Sequence, residues 1–472
     1  MNEKQTKIVA TLGPASGNYD TILKMAKAGM NIVRLNFSHG EHEGHKKMIE
    51  LVRKVEKENG LNIGIMLDTK GPEIRLGDFE NNEELYNKGE IVYVTKEKML
   101  GTHERFHIQC PELFNDVKPG NYILVNDGKQ QLNILENDGE VLKCEVQVTG
   151  PLASRKGCNV PGVTLSMPFI SEKDDSDLRF GCDNDVDFVA ASFVRRPDDV
   201  LKIRRILTEM GKPKINIIAK IENQEGFDNL DEILQVADGV MVARGDLGVE
   251  VRTDRVPIYQ KKIIKKANEA GKPVITATHM LDSMTQNPRC TRAEAADVAN
   301  AVLDGSDAVM LSGETAAGNY PVEAVTTMAA IAKSAEDIFP YRDHLETMKN
   351  FSKNSIQDAI GIAISDATLT LPISAIVVFT QGGTTARVIS KYRPVCPIYA
   401  VTFTSRTQHV LEDYWGVKPV LSRVQNEMTN DDDLASAVCK SYGHKPGELV
   451  IISAGYPTGE GSANMMKVVS IK

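Results

Sequence analysis

Along most of the chain, short apolar, β-branched runs alternate with amphipathic stretches of ten or more residues, the pattern of βα units around a parallel sheet. Eight runs stand out: Ile8 to Thr11, Ile32 to Leu35, Ile63 to Leu67, Val186 to Ala190, Ile215 to Ala219, Gly239 to Val242, Val274 to Thr276 and Ala308 to Leu311. Eight parallel strands close a (β/α)8 TIM barrel, although the pattern alone also admits a doubly wound sheet. The spacing breaks once, where about a hundred residues separate the third run from the fourth. From Gly71 to about Pro168 alternating strands and turn signals take over, as in GEIVYVT, GNYILVNDGKQQLNIL and GEVLKCEVQVTG. This predicts an inserted all-β domain in a βα loop, on the face where barrels carry their sites, and so a lid. After a helix to about Phe339, AIVVFT, IYAVTF and ELVIISAG lie between helical patterns and predict a C-terminal α/β domain. The expected division is a barrel over 1–70 and 169–340, an insert over 71–168, and a last domain over 341–472.

Composition narrows the function. With 472 residues, 42% hydrophobic and 25% charged, the chain has ordinary globular proportions and room for about three domains. No apolar run is long enough to span a bilayer and the start, MNEKQTK, lacks a signal-peptide core, which predicts a cytoplasmic protein with no membrane partner. The seven cysteines show no C-x-x-C spacing, so neither a disulfide framework nor a cysteine zinc site is expected. A net charge of −9 disfavours nucleic acid, and an anionic substrate would need locally gathered Lys, Arg and metal.

Polar groups follow the strand ends in NIVRLNFSHG, IMLDTKGPEIR, IIAKIENQEGF, MVARGDLGVE and ITATHMLDSM, where a barrel places its chemistry. Glu222 and Asp246, on adjacent runs, suit one hard divalent cation such as Mg2+, with substrate oxygens and water completing the shell. Lys220 sits between apolar residues and Glu222; it is either an ion pair for Glu222 or a cation for charge developing on a phosphoryl group or enolate. Arg34 and Arg75 can clamp phosphate bidentately. Asn36, Ser38, Asp68 and Thr69 form an oxygen-rich set for a weakly held cation, and equally suit backbone capping. Gly245 permits close approach of a ligand, whereas His39 and His279 are assigned to no catalytic role. In FTQGGTTAR (Phe379 to Arg387) a strand ends in glycines and threonines before a helical pattern, a cradle for phosphate or a capped turn.

These motifs resemble one family. IIAKIENQEGF is similar to the pyruvate kinase signature, and NIVRLNFSHG, DTKGPEIR, KGCNVPG, MVARGDLGVE, TRAEAADVANAVLDGSDAVMLSGETA and FTQGGTTAR follow in family order across nearly the whole chain. The resemblance implies a barrel, an inserted β-barrel lid and a C-terminal effector domain in a homotetramer that transfers the phosphoryl group of phosphoenolpyruvate to ADP. It implies Lys220 as transition-state stabiliser, Glu222 and Asp246 as ligands of Mg2+ or Mn2+, and Arg34, Gly245, Asp246 and Thr278 at phosphoenolpyruvate. Asn36, Ser38, Asp68 and Thr69 would hold K+, Arg75 and Lys156 the nucleotide phosphates, and Thr278 with a water the enolate proton. Glu73 is the residue of the K+-requiring group. Thr380, Gln381, Gly382, Gly383, Thr384 and Thr385 would bind a phosphorylated effector under the loop Ser453 to Asn464. Some sugar-bisphosphate-responsive members carry lysine at the position of Thr384, and Glu460 adds negative charge, which leaves a monophosphate sugar or AMP open. Metal-dependent lyases and a catalytically silent sensor are the alternatives; the insert with Arg75 and Lys156 speaks against the first, and the presence of Lys220, Glu222 and Asp246 against the second.

Overall fold

The computed structural model describes residues 4–422, 431–455 and 463–472. Eight parallel strands close a barrel: β1 (Lys7–Thr11), β2 (Ile32–Asn36), β3 (Gly64–Asp68), β4 (Phe188–Ala191), β5 (Asn216–Ile221), β6 (Gly239–Ala243), β7 (Val274–Ala277) and β8 (Ala308–Leu311). Each predicted run lies within one or two residues of a strand, and β8 pairs back on β1, which settles the barrel against the doubly wound sheet. All but two of the residues in these strands are buried, as expected of parallel strands covered on both faces. Val9, Met66, Phe188, Ile218, Met241 and Met310 fill the interior, and Val410 from the C-terminal segment packs with them as a plug at the floor. Ile65, Val189, Ile217, Val240 and Val309 face outward and pack against the helices.

The helices begin where short polar side chains replace the missing backbone partners. Asn18 caps Tyr19–Ala28, which ends on Gly29 at φ 119°, a left-handed conformation that favours glycine. In TRAE, Thr291 and Glu294 form a reciprocal capping box at the start of Arg292–Leu303.

Between β3 and β4 the insert forms a seven-stranded sheet, in the order Ile74–Arg75, Gly157–Asn159, Tyr122–Val125, Gln130–Asn137, Val141–Val146, Ile91–Thr95, Arg105–His107. Its two edges meet through the bridge Leu76 to Ile108, so the sheet curls back on itself around its own core, which includes Phe106, Leu132 and Leu142. A one-turn helix, Leu113–Asp116, departs from the all-β expectation. The C-terminal sheet has five strands, ordered Val417–Leu421, Ile398–Thr402, Ile373–Phe379, Leu449–Gly455, Ala463–Ser470, the last antiparallel. Val417–Leu421 and Ala463–Ser470 add to the three strands expected there; both are edge strands, whose mixed polar pattern carries little periodic signal.

Candidate active site

The ends of β2, β3, β4 and β5 bring charged side chains into contact. Pairing of β2 with β3 sets Asn36 opposite Asp68, and the Arg34 Nε donates to Asp68 Oδ2 at 2.5 Å. Asp68 is 1% exposed and Lys220 8% exposed, and Lys220 Nζ lies 3.0 Å from Asp68 Oδ1. The same ammonium donates to Ser192 Oγ at 2.7 Å and stands 3.0 Å from Glu222 Oε1. Burial alone would raise the Asp68 pKa, but Arg34 and Lys220 hold it below the usual carboxylate range. Burial alone would likewise lower that of Lys220, but Asp68 and Glu222 overrule it and raise it, so the group is a fixed positive charge.

Glu222 is fully buried, with Oε2 accepting the Phe193 N–H at 2.5 Å. Its Oε1 accepts no well-aligned hydrogen bond, although Lys220 is near. Burial pushes the carboxyl up to about 8, opposed by Lys220 and reinforced by Asp246, which stands in the first turn of the helix Arg244–Glu250. A buried carboxylate oxygen with an unused lone pair, near a second carboxylate, fits a divalent cation, which would reverse that rise. Among the described residues, no group of three or more His, Cys, Asp or Glu side chains could hold a metal, so such an ion would complete its shell from substrate oxygens and water.

On the next strand end, Thr278 has a positive φ of 67°, and its Oγ1 accepts the Gly245 N–H at 2.8 Å. Arg244 clamps this turn through the carbonyl oxygens of Thr278 and His279 and is anchored by Asp297. The remaining predicted residues have other partners. Asn36 Oδ1 accepts the Ser38 N–H at 3.1 Å, and Thr69 Oγ1 accepts that of Ser192 at 3.1 Å, so these two do serve the backbone as capping groups. Arg75 pairs with Glu73 at 2.7 Å and donates to the Arg155 carbonyl; it lines a cavity of about 920 Å³ with Lys70, Lys98 and Arg155, while Lys156 stands exposed beside them. In the C-terminal segment Thr380 Oγ1 accepts the Gly383 N–H at 3.0 Å, Gln381 O accepts from Thr407, and Thr384 opens the helix Thr384–Lys391 with Thr385 buried. Residues 456–462 of the segment Ser453 to Asn464, with Glu460, lie outside the described residues.

Ser192, Phe193 and Arg244 were missed by sequence reasoning. The signal existed: Ser192 directly follows the apolar FVAA of β4, the position at which the other strand ends were searched.

A buried lysine and an arginine sharing one aspartate, beside two carboxylates suited to a divalent cation, define a (β/α)8-barrel phosphotransferase. Family models for the pyruvate kinase barrel domain and the pyruvate kinase alpha/beta domain match residues 3–325 and 358–469. The pyruvate kinase of Staphylococcus haemolyticus (strain JCSC1435) is 51% identical over 98% of this chain and 80% of its own length. That of Staphylococcus aureus (strain MRSA252) is 50% identical with the same coverage. The chain belongs to the pyruvate kinase family, glycolytic and metal-dependent phosphotransferases. Among the described residues no helix is long and apolar enough to cross a membrane.

Proposed function

We propose that this barrel mouth transfers the phosphoryl group of phosphoenolpyruvate to ADP, giving pyruvate and ATP, with Lys220 stabilising the phosphoryl group in flight. The observation that carries the reading is the buried Lys220 ammonium held among Asp68, Ser192 and Glu222, with Arg34 paired to the other oxygen of Asp68. In a low-dielectric site a fixed charge of this kind acts far more strongly than in water and costs no reorganisation during the reaction.

Arg34 would take phosphate oxygens of phosphoenolpyruvate, with Gly245, Asp246 and Thr278 orienting the rest of the molecule. Glu222 and Asp246 would hold Mg2+, or Mn2+ in its place, which would supply positive charge to phosphate and enolate oxygens. For K+ the set Asn36, Ser38, Asp68 and Thr69 fits, because Asp68 Oδ2 and Asn36 Oδ1 each accept one hydrogen bond and keep a lone pair. Arg75 and Lys156 would meet the nucleotide phosphates beneath the insert. As the bond to the phosphoryl group breaks, Lys220 stabilises the enolate left behind. The Thr278 hydroxyl accepts from Gly245 and retains its own proton to pass, through a water, to the enolate carbon. A lid over 71–168, barrel segments 1–70 and 169–340, an effector domain over 341–472 with a phosphorylated ligand at Thr380 to Thr385, a homotetramer and a cytoplasmic location complete the reading.

The test is ADP-dependent pyruvate formation from phosphoenolpyruvate, with Mg2+, in tetramethylammonium buffer with and without K+. Glu73, engaged with Arg75 and Lys70, supplies no positive charge near Asp68, so turnover is expected to require K+. Absence of pyruvate with both ions present overturns the reading, whereas equal rates with and without K+ remove only the K+ site.

A further inference from the structure

The turn after β4 ties the end of β3 to both charged groups of β5. Ser192 Oγ accepts from Lys220 at 2.7 Å, and lies 2.7 Å from the Thr69 carbonyl and 3.1 Å from Asp68 Oδ1. A hydroxyl has one proton, and both of these partners accept only; donation to the nearer Thr69 carbonyl leaves a lone pair turned to Lys220. The Ser192 N–H is fixed in turn by Thr69 Oγ1. The next residue, Phe193, is held at φ 54°, a left-handed conformation that is strained for an aromatic residue. In that conformation its N–H meets Glu222 Oε2 at 2.5 Å. Space is closed behind the turn, since a Cβ on Gly71 would stand 2.8 Å from Ser192 Cβ.

We infer that Ser192 is a positioning residue for phosphoryl transfer, one that aims the Lys220 ammonium while the strained Phe193 amide aims Glu222. Asp68 and Ser192 accept two of the three Lys220 N–H groups, and Glu222 Oε1 stands 3.0 Å away on the side of the third. Glu222 would also be the oxygen donor to a divalent cation, so the N–H facing it is the one free to turn to a phosphoryl oxygen. Asp68 and Ser192 keep the other two and prevent the side chain from swinging. Without Ser192 the ammonium would stay charged but lose its direction, which lowers kcat more than substrate binding.

The inference rests on Lys220 as the stabiliser, and a double-mutant cycle separates the two claims. Ser192→Ala and the volume-preserving Ser192→Cys should each lower kcat roughly 10- to 100-fold, the usual cost of losing a group that orients a reacting one. The KM for phosphoenolpyruvate should move less than about threefold. In a Lys220→Ala background, Ser192→Ala should add almost nothing, because nothing is left to aim. If Lys220→Ala is itself active, the reading of the site fails. If Lys220→Ala is impaired but folded Ser192→Ala or Ser192→Cys turns over normally, or the two losses multiply fully, the positioning role is wrong. Ser192→Cys decides the matter should Ser192→Ala not fold.

Discussion

Two charge clusters stand at opposite ends of β4, about 15 Å apart for a strand of this length. At the mouth, Arg34 and Lys220 face Asp68, Glu222 and Asp246. At the floor, Asp187 accepts from Arg53 at 2.6 Å and lies 3.2 Å from both Arg406 and His409, while Glu56 takes His409 Nε2 at 2.7 Å. Each cluster is built around a fully buried carboxylate, and both join segments distant in sequence. They differ in charge balance. At the floor each carboxylate is matched: burial opposes ionisation of Asp187, but His409, Arg53 and Arg406 overrule it and hold the group at about 2. Burial likewise opposes the imidazolium, but Asp187 and Glu56 raise His409 to about 9. At the mouth Glu222 is left over and driven towards its neutral form. A perturbed, buried network is therefore not evidence of a site in itself; an unmatched charge at the strand ends is.

The comparison breaks first at the mouth. Lys220→Ala should lower kcat roughly 10²- to 10³-fold while the circular dichroism spectrum and Mg2+ binding persist. Retention of more than about a third of the wild-type turnover would mean that the mouth cluster, like the floor, is structural.

The floor should respond in the opposite way. His409 contributes fully below its unfolded pKa of 6.5, and its contribution is lost as pH rises towards about 9. Asp187 and Glu56, whose pKa values are lowered, contribute above the usual carboxylate range and lose their effect on acidification. Docking of the helix Ser405–Val410 on the barrel floor should thus be strongest from about pH 5 to 6.5. His409→Gln should cost on the order of 3 kcal/mol at pH 6 and flatten the fall of the melting temperature between pH 6.5 and 9, with kcat at neutral pH within about twofold. An unchanged melting profile, or a collapse of kcat matching that of Lys220→Ala, would erase the distinction between the two ends.

The smallest effect sharpens the comparison from a third region. Should a phosphate bind at Thr380 to Thr385, its influence on the mouth would pass through the C-terminal segment, whose Val410 plugs the barrel. Coupling of about 1 to 3 kcal/mol would tighten phosphoenolpyruvate roughly 5- to 150-fold. Ribose 5-phosphate, glucose 6-phosphate, AMP and fructose 1,6-bisphosphate, titrated at limiting phosphoenolpyruvate, should include at least one activator, and Thr384→Glu should abolish its effect by repulsion. A flat response to all four, or activation that survives the substitution, would return this loop to the capped turn that Thr380 already makes with Gly383.

Much of this molecule was legible in the chain itself because its information is local. Eight buried strands read as continuous apolar runs, each complete within a few residues. Lys220, Glu222, Asp246 and Arg34 were found because a barrel sends strand ends to one mouth, so position after a run suffices. What the tertiary structure alone decided is which of these groups meet. Lys220 lies 152 residues from Asp68 and 28 from Ser192, and His409 lies 353 from Glu56. No periodicity encodes such pairs: barrel closure sets the register that brings them together. Nor could sequence reveal that Arg75 would be engaged with Glu73, or that Phe193 would take a left-handed conformation to reach Glu222. The residue types come from the chain, but the balance of charge around each, and hence which cluster holds the fold and which is left to act on a ligand, depends on distances that exist only once the barrel has closed.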